Sequence, residues 1–323
     1  MIRTKDLTKR YGESIAVDAL NLHVQPGEIY GLLGPKGAGK TTTLLMLLGI
    51  LPPTSGSIFL FDFPLIPDHY FAIKRRIGVV GERPCFYDDM TARENLHFFA
   101  KLYAVRNTEE RIERLMEALN LSGFLDVRLS DYAQNMKQKL AFVRALLPDP
   151  NLLVLDEPIS GLDPCSIGAV RQLVEVQNQA GKTVLIFSCT LSDLECTAHR
   201  VGIVHHGRLL AQDTVAGLWA RLASEQQIEL ELAEPKPNLP TALAQLPSVR
   251  GVEGLEGGEG RRFTVYLSGG PDARAGLSRA VTGQGGTIVA MQHRARHQEG
   301  VAVTITEGDI PRLTGQGTVR VTT

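Results

Sequence analysis

Residues Gly34-Pro-Lys-Gly-Ala-Gly-Lys-Thr-Thr42 fit the pattern G-x-x-x-x-G-K-[ST], with Gly34, Gly39, Lys40 and Thr41 in the fixed places. Glycines let a backbone curl until successive N–H groups point inward, and a helix N-terminus behind them adds positive potential for bound phosphate. In such a loop Lys40 reaches the β- and γ-phosphates of a nucleotide and the Thr41 hydroxyl holds Mg²⁺. The flanks agree with this reading. Ile29-Tyr-Gly-Leu-Leu33 is an apolar run of buried-strand type, and Thr43 to Leu51 reads as an apolar helix ended by Pro52-Pro53.

A second element carries paired carboxylates. Leu152-Leu-Val-Leu155 is an apolar run that ends in Asp156-Glu157. A buried parallel strand places such carboxylates at its C-terminal edge, where open α/β sheets bind ligands. Asp156 is the candidate partner of Thr41 on Mg²⁺, and Glu157 the candidate general base or water-orienting group. Tyr11 precedes the loop in a Tyr-Gly turn; it either stacks on an adenine ring or simply packs there.

The remaining pattern fills an α/β framework. Residues 2–30 alternate as antiparallel strands with turns at Tyr11-Gly12 and Pro26-Gly27. Strands are expected at Ser57–Leu60, Ile77–Val80, Thr183–Phe187 and in a hairpin turned at His206-Gly207. Between them lies a helical insertion over about residues 83–147, with a capping-box start at Thr91 and Glu94, a helix over Thr108–Leu119, and another over Asn135–Leu147. The first domain is placed at 1–215, a linker at 216–225 and a small α+β domain with a C-terminal extension at 226–323. In the last part the order strand, helix, two strands, helix, strand is ferredoxin-like, with Gly254 to Gly260 turning between the middle strands. His293, Arg294, Arg296 and His297 form a mixed basic patch that an exposed loop explains. Val301, Val303 and Ile305, then Val319 and Val321, alternate as further strand candidates.

Composition narrows the partners. The chain of 323 residues carries 34 Lys+Arg against 35 Asp+Glu, which gives no case for a polyanion-binding surface, so no nucleic acid is expected. Cys85, Cys165, Cys189 and Cys196 lack metal-ligand spacing and read as reduced thiols. The amino terminus leads into a patterned strand rather than a secretion segment. No apolar run approaches the 18 or so residues that cross a bilayer; Leu44–Leu51 is too short.

On these motifs the first 215 or so residues resemble the ATP-binding subunit of ABC transporters, in particular the single-cassette subunits of exporters. The marks are Leu7-Thr-Lys-Arg-Tyr-Gly12, the loop Gly34 to Thr42, Tyr87-Asp-Asp-Met-Thr-Ala-Arg-Glu-Asn-Leu96, Leu153-Val-Leu-Asp-Glu-Pro158 and Ser160-Gly-Leu-Asp-Pro164. The resemblance implies a P-loop NTPase cassette with an antiparallel β subdomain and the helical insertion, followed by the ferredoxin-like domain. It implies ATP and Mg²⁺ as ligands, a second cassette as homodimer or heterodimer partner, and a membrane-spanning permease that the chain drives from the inner face of the cell membrane, where it sits as a cytoplasmic, peripheral subunit. Two such cassettes sandwich two ATP molecules, each held by the loop of one and the signature of the other. ATP contacts then fall to Tyr11, Gly34, Pro35, Lys36, Gly37, Ala38, Gly39, Lys40, Thr41 and Thr42. Asp156 becomes the magnesium-side carboxylate, Glu157 the hydrolytic one, and Asp163 part of the loop coupling the two sites. The permease contact is expected near Glu82 to Phe99, where Phe86, Tyr87 and Phe98 offer apolar surface.

The departures from the family pattern are informative too. The signature aligns with Tyr132-Ala-Gln-Asn-Met136 in place of Leu-Ser-Gly-Gly-Gln or Tyr-Ser-x-Gly-Met. Ala133 lacks the serine hydroxyl, and losing a hydrogen bond to a charged group costs about 1.5–3 kcal/mol. Gln134 and Asn135 put side chains where glycine admits phosphate, beside Met136. Thr190 stands at the switch histidine and cannot reproduce imidazole's proton-accepting nitrogen. Glu82 stands at the glutamine that senses metal and attacking water, a change related exporter subunits tolerate. The expectation is retained ATP binding with weak hydrolysis by the isolated chain; a nucleotide-gated regulatory or clamp subunit is the alternative.

Overall fold

The computed structural model describes residues 1–195, 197–218, 225–236, 238–247, 249–254, 260–268, 272–293 and 320–322. Cys196, the basic residues 294, 296 and 297, and Val301, Val303, Ile305 and Val319 lie outside them. Two compact units are present, the first spanning Met1–Val215 and the second beginning at Ala216.

The first unit opens with β1 (Ile2–Tyr11), β2 (Ser14–Leu20) and β3 (His23–Val24), all antiparallel to one another where they pair. Alternation in β1 buries Ile2 and Thr4, and an irregularity at Asp6 (φ 46°) shifts the register so that Leu7 is buried as well. β4 (Ile29–Leu33) is buried throughout and runs into α1 (Lys40–Leu47). The helix starts three residues earlier than the apolar pattern implies, because Gly39 at φ 97° serves as its N-cap and joins the loop to its first turn. β5 (Ser55–Leu60) and β6 (Phe63–Pro64) complete the antiparallel sheet in the order β2-β1-β5-β6, with β3 on β1. α2 (Pro67–Lys74) has Pro at its first turn and buries only Ile73.

β7 (Ile77–Val80) leads to the helical insertion: α3 (Ala92–Leu102), α4 (Thr108–Ala118) and α5 (Gln134–Leu146). The capping box at Thr91 and Glu94 is formed reciprocally. β8 (Leu152–Asp156) is buried along its length, α6 (Pro164–Gln179) follows, then β9 (Thr183–Ser188), α7 (Ser192–Glu195) and the hairpin β10 (Arg200–His205) and β11 (Arg208–Asp213). The second sheet has the order β11-β10-β4-β9-β8-β7, parallel from β7 to β10, with β11 antiparallel at the edge. Its inner strands β4, β8 and β9 are buried along their whole length, β4 and β8 reading as near-unbroken apolar runs, whereas the edge strand β11 buries no residue fully.

The second unit contains β12 (Glu225–Leu232), α8 (Leu239–Leu243), β13 (Val249–Gly254), β14 (Arg262–Ser268), α9 (Asp272–Gly283), β15 (Ile288–His293) and β16 (Arg320–Thr322). Its sheet order is β15-β12-β14-β13-β16, antiparallel among the first four, which is the ferredoxin-like arrangement, and β16 adds a parallel edge to β13. Ile228, Leu230, Phe263 and Val265 form its core with Leu243 and Leu277. The stretch 216–225, expected as a linker, begins at the boundary between the two units; its described ends differ from a bare linker, helical at 215–218 and strand at Glu225, and residues 219–224 lie outside the described ones. Buried Val215 and Leu218 explain the difference, since they supply an apolar face three residues apart.

Candidate nucleotide site

Because β4 and β8 flank β9 in the parallel sheet, their C-terminal ends lie side by side, and the loop after β4 meets the carboxylates after β8. Ser188 ends β9 between them, and the Gly34 N–H donates to its carbonyl at 3.2 Å. The loop backbone needs its glycines for different reasons. A Cβ on Gly34 would lie 2.3 Å from the Val204 carbonyl oxygen, and one on Gly39 would lie 2.4 Å from that of Ala16 in addition to a φ of 97°. Gly37 has open space and a φ of 83°, so only its backbone conformation demands glycine. Ala38 points away from the loop's mouth into the core, and the Gly207 N–H donates to its carbonyl at 3.0 Å.

Lys40 is buried and curled over the loop, donating to the carbonyls of Gly34 (2.6 Å) and Pro35 (3.1 Å). Its ammonium is 3.9 Å from Glu157 Oε1. Asp156, 7% exposed, has its pKa pushed up to about 6, by burial first, then by the charges of Glu157 and Glu82 against the opposing pull of Lys40. Glu157 sits in the left-handed region at φ 46°, its N–H donating to the Phe187 carbonyl at 2.9 Å. Its Oε2 accepts from Ser188 Oγ at 3.4 Å and faces Cys189 Sγ at 3.7 Å.

Thr190 approaches through its neighbours rather than its own side chain. Its N–H donates to Ser188 Oγ at 2.9 Å, and its Oγ1 is 3.8 Å from Cys189 Sγ. Sequence reasoning passed over Ser188, Cys189 and Asp193. Ser188 Oγ donates to Asp193 Oδ2 at 2.8 Å, and burial raises the Asp193 pKa. Burial, then the charge of Glu157, also raises that of the Cys189 thiol. A buried serine ending a central strand beside the acidic pair was the signal that could have found them.

Thr41 is exposed and Thr42 half-buried in the first turn of α1, while Lys36 is exposed at the loop's crest. Tyr11 ends β1, paired with Ser14 in the hairpin whose Ala16 carbonyl touches Gly39; its ring is 51% exposed, with Lys9 Nζ 5.5 Å from the ring centre.

The signature residues lie on another element. Ala133 is the N-cap of α5 and offers no side-chain cap, Gln134 opens the helix, and Met136 follows in its first turn. Asn135 Nδ2 donates to Asp163 Oδ2 at 3.1 Å. Asp163 also caps α6, accepting from the Ser166 N–H (3.0 Å) and hydroxyl (2.6 Å), and these bonds hold its carboxyl well below the usual range.

The residues present fit a triphosphate with a divalent cation. The glycine cradle leaves no room for a Cβ at Gly34 or Gly39, and Asp156, Glu157 and Glu82 crowd negative charge against one ammonium. Among the described residues no three His, Cys, Asp or Glu side chains form a ready-made metal cage. Mg²⁺ bound through one protein carboxylate, a hydroxyl and substrate phosphates needs none.

Residues 17–160 match the family model described as ABC transporter. A bacitracin transport ATP-binding protein, BcrA of Bacillus licheniformis, is 42% identical over 217 residues, covering 66% of this chain and 69% of that protein. Nod factor export ATP-binding protein I of Burkholderia pseudomallei is 39% identical over 210 residues, covering 64% and 69%. Among solved structures, an ATP-binding subunit of an ABC transporter superposes with a TM-score of 0.64 at 28% identity over 69% of this chain and 93% of that one. A dimeric ATP-binding cassette in a post-hydrolysis state, bound to ADP and Pi, shares the fold with a TM-score of 0.61 at 23% identity over 67% of this chain and 99% of that one. With the phosphate loop and the acidic strand end side by side, this chain belongs to the ABC transporter family as an ATP-binding subunit.

Proposed function

We propose that the chain is the engine of an exporter, binding Mg-ATP at the loop after β4 and passing the resulting motion to a separate membrane-spanning permease. The observation that supports this reading is the 3.9 Å approach of the Lys40 ammonium to Glu157 Oε1, an ion pair between the loop and the acidic end of β8. The loop's N–H groups and Lys40 would bind the phosphates, and Thr41 and Asp156 would hold Mg²⁺. An ion held there would supply neutralising charge beside the phosphates. Glu157, anchored through its N–H and the Ser188 hydroxyl, orients the attacking water and takes its proton.

No helix among the described residues is long and apolar enough to cross a membrane, so the reading places the spanning segments on a partner. The docking face we infer is the aromatic cluster of the insertion. Tyr87 and Phe98 meet edge to face at 5.2 Å and are 50% and 42% exposed, while half-buried Phe86 and Phe99 are held from beneath by Arg144, 4.8 and 5.1 Å from their ring centres.

A second reading, a nucleotide-closed clamp with little turnover, is favoured by the Asn135–Asp163 bond and by the uncapped α5 start at Ala133. Both readings place a second cassette across the site; in a heterodimer with a partner of complete signature and switch histidine each site carries only one set of changes, Thr190 in one and Ala133, Gln134 and Asn135 in the other. Single-turnover hydrolysis measured beside ATP-dependent dimerisation separates them. Product formation supports the engine; closure without product supports the clamp; neither removes the proposal.

A further inference from the structure

Gln138 lies on α5, one turn beyond the signature residues, and is 3% exposed. Its Nε2 points at two carbonyls on different elements, Pro158 at 3.4 Å and Gly81 at 3.5 Å. Pro158 follows Glu157 and Gly81 precedes Glu82, so one amide touches the backbone next to both carboxylates that flank Asp156. Its Oε1 is buried with no hydrogen-bond partner. Exchanging the amide's oxygen and nitrogen would set the oxygen against two carbonyls, so the orientation is fixed by its surroundings.

An orphaned acceptor makes Gln138 an expensive way to fill this space, since a methionine of the same length would bring no polar atom of its own into it. We propose that Gln138 is a positioning residue: it ties the tilt of the signature helix to the placement of Glu82 and Glu157, so that movement of α5 during cassette closure sets the geometry of the hydrolytic carboxylates. Both contacts are long for hydrogen bonds, as suits a joint that tightens in another arrangement of the site. This inference rests on the ATPase reading above and names a residue of the same site.

The test compares Gln138→Met and Gln138→Glu with the wild-type full-length chain. Gln138→Met removes the donor at nearly constant volume, and Gln138→Glu turns a second oxygen toward the two carbonyls. Three readouts are taken: equilibrium binding of a fluorescent ATP analogue with Mg²⁺, single-turnover ATP hydrolysis, and hydrogen exchange over residues 78–84 and 155–163. The expected result is ATP affinity within about twofold of wild type and a melting temperature no lower for Gln138→Met. Hydrolysis falls about tenfold, the loss of roughly one hydrogen bond, and exchange rises in both segments before nucleotide is added; Gln138→Glu is more affected than Gln138→Met on both counts. Unchanged exchange in both variants overturns the proposal, as does a melting temperature lowered in step with binding and hydrolysis, which marks simple packing. If wild type itself neither binds nor hydrolyses ATP, the ATPase reading fails, and the exchange comparison still decides whether Gln138 joins the two segments.

Discussion

Asn135 Nδ2 donates to Asp163 Oδ2 across 3.1 Å, joining the first turn of the signature helix to the residue that caps α6. In the nucleotide-binding reading both residues belong to the surface that faces a second cassette, yet here they are tied to each other within one chain. Replacement of Asn135 by glycine removes this tie and the side chain from the phosphate approach. It is expected to raise ATP turnover of a homodimer about three- to tenfold, the scale of one hydrogen bond. A further rise is expected when Ala133→Ser and Gln134→Gly are added. Steady-state ATPase assays of the purified variants check this, and unchanged turnover in the triple variant would place the limitation elsewhere, with Thr190 the next residue to examine.

The loop glycines separate by mechanism. Gly37→Ala meets only backbone strain, since nothing lies within 4 Å of its Cβ, and is expected to cost roughly 1–2 kcal/mol. Gly39→Ala adds a clash 2.4 Å from the Ala16 carbonyl and is expected to cost several times more, about 3–5 kcal/mol, by forcing the β1–β2 hairpin off the loop. Urea unfolding followed by circular dichroism measures both. Equal losses would mean that the hairpin does not rest on the loop.

Asp156 gives a pH dependence of unusual sign for a carboxylate. In the unfolded chain an aspartate ionises near about 3.9, whereas burial and two neighbouring carboxylates hold the proton on folded Asp156 up to about 6. Between those values the native state binds more protons than the unfolded one, so this group's contribution makes stability fall as pH rises from about 4 to 6 and level off above. The amount is on the order of 3 kcal/mol. Asp156→Asn is expected to abolish this slope, to stabilise the nucleotide-free protein at pH 7 and to remove the effect of Mg²⁺ on ATP affinity. Unfolding curves at pH 5 and 7 for both proteins, with ATP titrations with and without Mg²⁺, test it; a parallel pH response in the variant would sink the assignment.

The helical insertion is anchored locally by the reciprocal box of Thr91 and Glu94, with the Glu94 N–H donating to Thr91 Oγ1 at 3.2 Å and the Thr91 N–H donating to Glu94 Oε2 at 2.8 Å. Thr91→Ala is expected to lower stability by about 1 kcal/mol. Because Asn95 still holds both backbone groups of Tyr87, at 2.9 Å to its N–H and 3.0 Å to its carbonyl, nucleotide binding should stay unchanged. A melt and an ATP titration of one preparation check both halves.

What the amino-acid sequence discloses of this molecule follows burial. β4 and β8 are legible because strands covered on both faces read as unbroken apolar runs ending in functional residues. The insertion is legible from its capping box and helical spacing. α2 escapes because it is short and buries Ile73 alone; α6 is passed over although Asp163-Pro164 marks its start and Val170, Leu173 and Val174 carry helical spacing. The loop, the acidic pair and their roles come from local pattern, whereas the Asn135–Asp163 bond spans 28 residues and the Ser188–Glu157 contact 31, distances over which no local pattern operates. Gln138 looked like any polar residue of an amphipathic helix until the sheet brought Gly81 and Pro158 to it.

The most direct measurement is equilibrium ATP binding by the full-length chain, with and without Mg²⁺, for wild type and for Lys40→Ala shown to be folded by circular dichroism. Lys40 is the buried cation over the loop, 2.6 Å from the Gly34 carbonyl and 3.9 Å from Glu157. The predicted result is tighter binding with Mg²⁺ in wild type and a loss of about a hundredfold or more in the variant, the scale expected when a buried charge pair loses one partner. Equal affinity in the two proteins would show that nucleotide does not bind at this loop.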